Sequence, residues 1–251
     1  MTATIPIRDS DLDFDNGTFD SFAFAAKSLA NWQSLAAVID HSLLKAETTR
    51  EQVEALCDEA ARYRFACVML NPVWASAAVS SLAGTGIPVG ATIGFPLGAS
   101  LASTLRHEAA ALLRLGVREL GMVLPIGQLK SGNHQAVQHT IQGAVSIAHH
   151  HGAIIKVNLE TCLLTMQEKL RASEIAIAAG ADFINTATGF AAGGATPADV
   201  ALIRGVVGAR CGVKAAGRIR TLAAVRGLLE AGANRIGSSA SVAILRELGA
   251  E

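Results

Sequence analysis

Two lysines stand inside apolar segments of the sequence, where charged side chains are uncommon. Lys156 lies within residues 153–159 and Lys214 within residues 211–216, and the other residues of both segments are mostly small or aliphatic. A buried ammonium group is costly unless it is paired, and burial or a second nearby cation lowers its pKa. Since a neutral amine attacks carbonyl carbons to form an imine, both lysines are candidate catalytic nucleophiles. In the alternative interpretation, both only form ion pairs with Asp40 or Glu160.

Other polar residues lie late in apolar segments. Lys156, Asn158 and Glu160 alternate along one segment, which predicts that all three face the same side of a strand. The remaining members of this polar set are Asp40, Asn71, Asn185, Ser238 and Ser239.

Eight short apolar segments are each followed by a segment with helical spacing. They cover residues 35–40, 65–70, 89–94, 119–124, 153–159, 181–186, 211–216 and 234–238. Units of about 27 residues fit a closed (β/α)8 TIM barrel, in which catalytic residues lie at the carboxyl ends of the strands. An open doubly wound sheet is the alternative, but it usually has fewer strands, and no G-x-G-x-x-G follows the first segment. We predict an N-terminal extension over residues 1–30, which either docks its phenylalanines or stays mobile, and one barrel domain over residues 31–251.

The last units of the predicted barrel resemble a phosphate cradle. Loops after the seventh and eighth strands of such barrels commonly bind phosphate, together with a helix N-terminus. The candidate residues are Gly189, Gly217, Arg218, Ser238 and Ser239. Alternatively, the glycines only make tight turns.

Composition excludes several classes of function. The 251 residues include 21 Lys plus Arg and 21 Asp plus Glu, with no basic run, so nucleic acid is not expected as a partner. No stretch approaches the roughly 20 apolar residues of a membrane span, and the acidic N-terminus is unlike a secretory signal, which predicts a cytoplasmic protein. The four cysteines lack metal-binding spacing, and the three histidines at 149–151 are expected to be a solvated helix end. We therefore expect no metal and no other cofactor.

The segment ends resemble the deoxyribose-phosphate aldolase family in the right order. The resemblance is carried by IDHSLLK at 39–45, IGFPLG at 93–98, GQLKSG at 127–132, ETCLL at 160–164, GADFI at 180–184, TGF at 188–190 and VKA at 213–215. It implies a class I aldolase that cleaves 2-deoxy-D-ribose 5-phosphate to glyceraldehyde 3-phosphate and acetaldehyde through a lysine imine, without a metal. It also implies a role in deoxyribonucleotide catabolism.

By this resemblance, Lys214 matches the second lysine of the family's site, which lowers the pKa of the nucleophile. Asp40 and Lys156 match polar residues of the same pocket, and Gly189, Gly217 and Ser239 match phosphate-binding positions. The resemblance further implies a small carbonyl or sugar-phosphate ligand and a homodimer.

Two catalytic positions depart from the family pattern. Asn185 stands where the imine-forming lysine is expected, and Gly121 where the catalytic aspartate is expected. Further departures are Met69, Asn158, Ala216 and Arg218.

We expect native cleavage to be lost or strongly reduced in an engineered or divergent barrel. The interior then either supports carbonyl chemistry through Lys214 or Lys156, with Asn185 and Asn158 orienting the carbonyl, or serves noncovalent catalysis or binding. A catalytically silent variant is the third possibility.

Overall fold

The computed structural model describes residues 14–15 and 18–251 and contains a closed barrel of parallel strands, as predicted. The eight barrel strands within this part of the chain pair in sequence order, and the last pairs with the first. They are β1 (Ile39–Leu43), β2 (Cys67–Leu70), β3 (Val89–Ile93), β4 (Glu119–Val123), β5 (Ile154–Asn158), β6 (Phe183–Asn185), β7 (Gly212–Ala216) and β8 (Arg235–Ser238).

Helices surround the strands and cover their outer side chains, so the strands are buried on both faces. They are α1 (Ser21–Ser28), α2 (Trp32–Ala36), α3 (Arg50–Tyr63), α4 (Ala75–Ser81), α5 (Ala102–Arg114), α6 (Ile126–Lys130), α7 (His134–His150), α8 (Met166–Ala178), α9 (Pro197–Val207), α10 (Leu222–Glu230) and α11 (Ser241–Glu247). Single 3-10 turns follow β2 (Pro72–Trp74) and β5 (Thr161–Leu163).

Side-chain caps begin several of these helices, as their sequences predict. Thr49 and Gln52 form a reciprocal capping box at the start of α3, and Thr196 caps α9, which has proline as its first residue. Defined helix starts fix the length of the loops that leave the strands, and these loops carry the candidate site.

The first strand differs from the prediction over residues 35–40. Leu35 and Ala36 belong to α2, whose N-terminus is capped by Asn31, and the strand covers Ile39–Leu43. A five-residue helix is too short to show helical periodicity, and a short apolar run is compatible with either element. The shift moves His41 into the strand, where its ring is buried against Phe65.

The N-terminal segment contributes to the core through one of its phenylalanines. Phe24 of α1 is buried, Phe19 packs partly against the core, and Phe22 is exposed. The side chain of Phe14 lies outside the described residues. The domain boundary at residue 30 stays a prediction. No helix within the described residues is long and apolar enough to span a membrane.

Candidate active site

Five charged side chains from five strands meet inside the barrel. Lys156 Nζ and Lys214 Nζ each lie 2.5 Å from Oδ2 of Asp40. Arg235 donates to the other oxygen of Asp40 at 3.1 Å, and Lys156 also pairs with Glu119. All five side chains are at least nine-tenths buried. The predicted pairing of both lysines with Asp40 is therefore present, in a cluster of three cations and two carboxylates.

The two lysines are in different electrostatic environments. Burial lowers the pKa of Lys156, but Asp40 and Glu119 oppose burial and hold the pKa above its ordinary value. Among the described residues, Lys214 pairs with the Asp40 carboxylate and with no second one. Burial and the positive charge of Lys156 outweigh that pairing, so the pKa of Lys214 lies below its ordinary value. Lys214 is therefore the lysine that loses its proton more readily.

Asp40 holds the cluster together as an anion. Burial alone would raise the pKa of Asp40, but Lys156, Lys214 and Arg235 together keep it well below its ordinary value. Asp40, Cys67 and Glu119 also offer three potential metal-ligand atoms within 4.8 Å of one another. Since Lys156 binds both carboxylates, and burial raises the pKa of the Cys67 thiol, this arrangement is an ion-pair cluster rather than a metal centre.

Asn158, Asn185 and Lys214 form a lateral row on adjacent strands. Asn158 on β5 is in register with Asn185 on β6, and Asn185 is in register with Lys214 on β7. Side chains in register on neighbouring parallel strands point the same way, and all three line one cavity. The predicted catalytic residues Lys214, Lys156, Asn185, Asn158 and Gly121 thus share this cavity, and Asp40 lies behind the two lysines.

Three buried oxygen atoms in the cavity wall have no protein partner within the described residues. They are Oδ1 of Asn158, Oδ1 of Asn185 and Oγ1 of Thr92. A buried polar atom without a partner costs free energy unless a ligand or water satisfies it. These oxygens therefore mark the part of the cavity that is prepared for a polar group.

Met69 fills space beside Gly121. A Cβ at Gly121 would lie 3.0 Å from Cε of Met69, and a Cβ at Gly90 would overlap the Met69 sulfur. Met69 on β2 thus reaches across β3 toward β4 over two glycines. Met69 and Gly121, both singled out in the sequence, thus belong to one packing arrangement.

The predicted phosphate-binding residues lie around the mouth of this cavity, at the carboxyl ends of β6, β7 and β8. Gly189 and Gly217 both have positive φ, 86° and 95°, and a Cβ at Gly189 would lie 3.5 Å from Cα of Gly217. Glycine at both positions lets the two loops approach closely. Arg218 is exposed and donates to the Ala191 carbonyl at 3.2 Å, so it links the same two loops.

The two serines after β8 have different environments. The Ser238 hydroxyl is buried, donates to the Ile219 carbonyl at 2.8 Å and accepts from the Ala240 amide at 2.9 Å. It therefore joins the loops after β7 and β8, whereas Ser239 is exposed at the cavity mouth.

Glu160 does not join the lysine cluster, contrary to the predicted alternation and the alternative ion pairing. Its backbone has a φ of 56°, which ends the strand pattern after Asn158. The buried Glu160 carboxylate accepts from the amide of Thr188 at 3.1 Å and from the Thr188 hydroxyl, and so holds the turn that contains Gly189. Left-handed backbone at a glutamate has no clear sequence signal.

The sequence-based list also lacked two members of the cluster. Arg235 and Glu119 both stand at the start of apolar strands, and a charged residue in that position was the available signal.

The cavity has a volume of about 310 Å³. That volume is at the lower end of the range for small-molecule sites.

Comparisons with known proteins agree with this architecture. A family model described as DeoC/LacD family aldolase matches residues 34–247. The chain is 47% identical over 216 residues to the deoxyribose-phosphate aldolase of Lysinibacillus sphaericus, covering 86% of this chain and 96% of that protein. It is 45% identical over 212 residues to the deoxyribose-phosphate aldolase of a Geobacillus strain, covering 84% and 95%.

A solved structure is also similar. The tetrameric deoxyribose phosphate aldolase of Aeropyrum pernix superimposes with a TM-score of 0.84 at 31% identity, covering 91% of this chain and 96% of that chain. The family match spans most of the sequence and includes all eight barrel strands. The chain therefore belongs to the DeoC/LacD family of aldolases.

Proposed function

We propose that this chain is an aldolase-type enzyme that forms an imine between Lys214 and a small carbonyl compound, with native deoxyribose-phosphate cleavage lost or strongly reduced. The observation that carries the proposal is the position of Lys214: it lines the cavity, and burial beside Lys156 lowers its pKa. Lys156 is less suited, because its pKa is raised by two carboxylates. Asn185 and Gly121 cannot replace an imine-forming lysine and a catalytic aspartate, whether engineering or divergence placed them there.

The proposed step balances within the cavity. The neutral Lys214 amine adds to the carbonyl carbon, and one proton passes from the attacking nitrogen to the carbonyl oxygen to give a carbinolamine. The carbinolamine then loses its hydroxyl group and the second nitrogen proton as water, which leaves the imine. Asp40 lies 2.5 Å from Lys214 Nζ and accepts a hydrogen bond from it, which fixes the direction of the amine. The amides of Asn158 and Asn185 stand beside Lys214 and orient the carbonyl oxygen or the released water.

Gly189, Gly217, Arg218 and Ser239 at the mouth support a ligand with an anionic end. Backbone amides of glycine-rich turns and an exposed guanidinium are suited to phosphate. A small carbonyl compound with a phosphate or similar anionic group is therefore the proposed ligand class. A homodimer, expected from the sequence, stays a proposal.

Borohydride trapping tests the nucleophile. The protein is incubated with acetaldehyde, reduced with borohydride and analysed by intact and peptide mass. We expect one ethyl group per chain on Lys214, and its loss in Lys214→Met, where Asp40 still pairs with Lys156 and Arg235. Lys45→Met is the matched control, because Lys45 is an exposed lysine at the cavity mouth.

Labelling of Lys156 or of surface lysines alone would contradict the assignment to Lys214. If no lysine is labelled in the folded protein, the noncovalent alternative replaces the imine, since the unpaired amide oxygens still favour a bound polar ligand. A variant that neither forms an adduct nor binds a ligand would be catalytically silent.

A further inference from the structure

Three buried side-chain oxygens in the cavity wall have no protein partner among the residues that the structure describes. Asn158 Oδ1, Asn185 Oδ1 and Thr92 Oγ1 are all buried, and their residues line the same cavity as Lys214. Their side chains are at most 4% exposed.

The chemistry of these atoms restricts what can satisfy them. An amide oxygen only accepts hydrogen bonds, so the ligand must present donors. An ammonium donor is disfavoured, because the adjacent cluster holds three cations against two carboxylates. A carbonyl or carboxylate oxygen cannot satisfy the two Oδ1 atoms, because it only accepts; the Nδ2 groups of the same asparagines are the atoms that would donate to a carbonyl. A neutral hydroxyl group fits this set best, because it can donate to an amide oxygen and accept from a donor of a neighbouring side chain.

The spacing of the two amides fits neighbouring hydroxyls of one molecule. Asn158 and Asn185 are in register on adjacent strands, and neighbouring strands lie about 4.8 Å apart. Two side chains that converge from this separation can each reach one hydroxyl of a short carbon chain. Thr92 on β3 is in register with Gly121, which has no side chain, and Gly121 is in register with Lys156 on β5. The end of Met69 borders this space.

We propose that Asn158, Asn185 and Thr92 form a hydroxyl-binding subsite that selects a polyhydroxylated ligand, a small polyol or sugar, over a deoxygenated ligand of the same length. The proposal deepens the proposed function, because it rests on the same cavity being the ligand site. It does not require the imine, since the three side chains act by hydrogen bonding alone. An aldehyde that reacts with Lys214 would therefore carry its hydroxyls on the carbons next to the carbonyl group.

Two ligands with the same carbon skeleton test this selection. Glycerol 3-phosphate and propyl phosphate differ only in two hydroxyl groups, and their dissociation constants are measured by calorimetry with the full chain. We expect the protein to bind glycerol 3-phosphate about tenfold more tightly, as two modest hydrogen bonds would provide. Asn158→Leu, Asn185→Leu and Thr92→Val conserve side-chain size and should each reduce this ratio while leaving propyl phosphate affinity unchanged. Asn133→Leu, at an exposed asparagine, is the control.

A stability measurement separates ligand selection from a structural role. Replacing unpaired buried oxygens by apolar groups should leave the unfolding midpoint of the unliganded variants unchanged or higher, whereas structural amides would lower it. Equal affinity of the protein for both phosphates, no detectable binding of either, or loss of both ligands in the variants would overturn the subsite. Borohydride trapping with acetaldehyde measures imine formation at Lys214 and does not depend on the hydroxyl-binding subsite. A failure of imine formation can therefore be distinguished from a failure of the subsite.

Discussion

Lys156 and Lys214 are equally close to one oxygen of Asp40, yet only Lys214 has a lowered pKa. The difference comes from Glu119, which pairs with Lys156 alone. The two ammonium groups repel each other, so each destabilises the protonated form of the other. Two carboxylates offset this repulsion at Lys156 and one carboxylate offsets it at Lys214. The more acidic lysine is thus selected by a residue that does not line the cavity.

This arrangement predicts how the pH profile of imine formation depends on Lys156. Protonated Lys214 is disfavoured by burial and by Lys156, so the reactive neutral amine appears below the ordinary lysine pKa of about 10.4. Removing the positive charge of Lys156 should raise the pKa of Lys214. The pH profile of the rate of acetaldehyde trapping should therefore shift to more alkaline values in Lys156→Met/Glu119→Gln.

The double substitution keeps the cluster balanced, because it removes one cation and its carboxylate partner together. Lys130→Met, at an exposed lysine, should leave the profile unchanged. An unshifted profile in the folded double variant would show that Lys156 does not control the pKa of Lys214.

At the residue scale, sequence reasoning recognised Lys156, Lys214 and Asp40 because charges inside apolar segments are conspicuous. It could not rank the two lysines, since their difference depends on Glu119, which reaches Lys156 from the neighbouring strand β4. It also placed Glu160 with the lysines, because the left-handed backbone that turns this side chain toward Thr188 is a property of the folded loop.

At the scale of the elements, β2, β3 and β4 share one packing unit. Met69 of β2 lies over Gly90 of β3 and touches the space above Gly121 of β4. A side chain at Gly90 would require Met69 to move, whereas one at Gly121 would meet only the flexible end of Met69, which would have to shift by a few tenths of an ångström. Met69 therefore restricts the space for an aspartate at position 121 without closing it.

This packing bears on the two catalytic residues that the resemblance implies at positions 185 and 121. Asn185→Lys with Gly121→Asp should recover cleavage of 2-deoxyribose 5-phosphate only in part, because a Cβ at position 121 lies 3.0 Å from Met69 Cε and the new side chain is crowded there. Adding Met69→Ala should increase cleavage further, since small misplacements of a catalytic group slow a reaction strongly. An aldehyde-release assay measures both variants.

Met166→Ala is the control for a methionine change, since Met166 is exposed. If the double variant is as active as the triple variant, Met69 can move away from position 121 without any effect on the cleavage rate. No activity in a folded triple variant would count against restoring the family's reaction by these residues.

Most elements could be predicted because parallel strands covered on both faces are continuous apolar runs, and their loops carry caps and glycines. The predicted start of β1 was wrong because the last residues of the short helix α2, Leu35 and Ala36, are apolar and could equally begin a strand. Packing across three strands, as between Met69 and Gly121, has no local signal at all.

At the scale of the whole molecule, the N-terminal segment and the barrel share a core. Phe24 of α1 is buried in it, and α1 packs against α10. The guanidinium of Arg204 in α9 lies 4.1 Å from the ring centroid of Phe19. The described residues from Phe19 through α1 thus lie on the outer helices α9 and α10, while the cavity opens at the carboxyl ends of the strands.

Phe24→Ala should consequently destabilise the entire fold. Loss of a buried phenylalanine typically costs about 3 kcal/mol of unfolding free energy, measured here by denaturant titration. Phe22→Ala is the matched control, because Phe22 is 70% exposed and its loss should cost about 0.5 kcal/mol or less. Equal effects of the two substitutions would contradict a shared core.

The ion-pair cluster has a consequence for the two halves of the barrel. Both of its carboxylates, Asp40 and Glu119, come from β1–β4, whereas its three cations, Lys156, Lys214 and Arg235, all come from β5–β8. Two copies of either half would bring like charges together in a dry interior. The charges therefore disfavour a barrel made of two identical halves and favour pairing of β1–β4 with β5–β8. The cluster thus contributes to the specificity of barrel assembly as well as to the chemistry of the cavity.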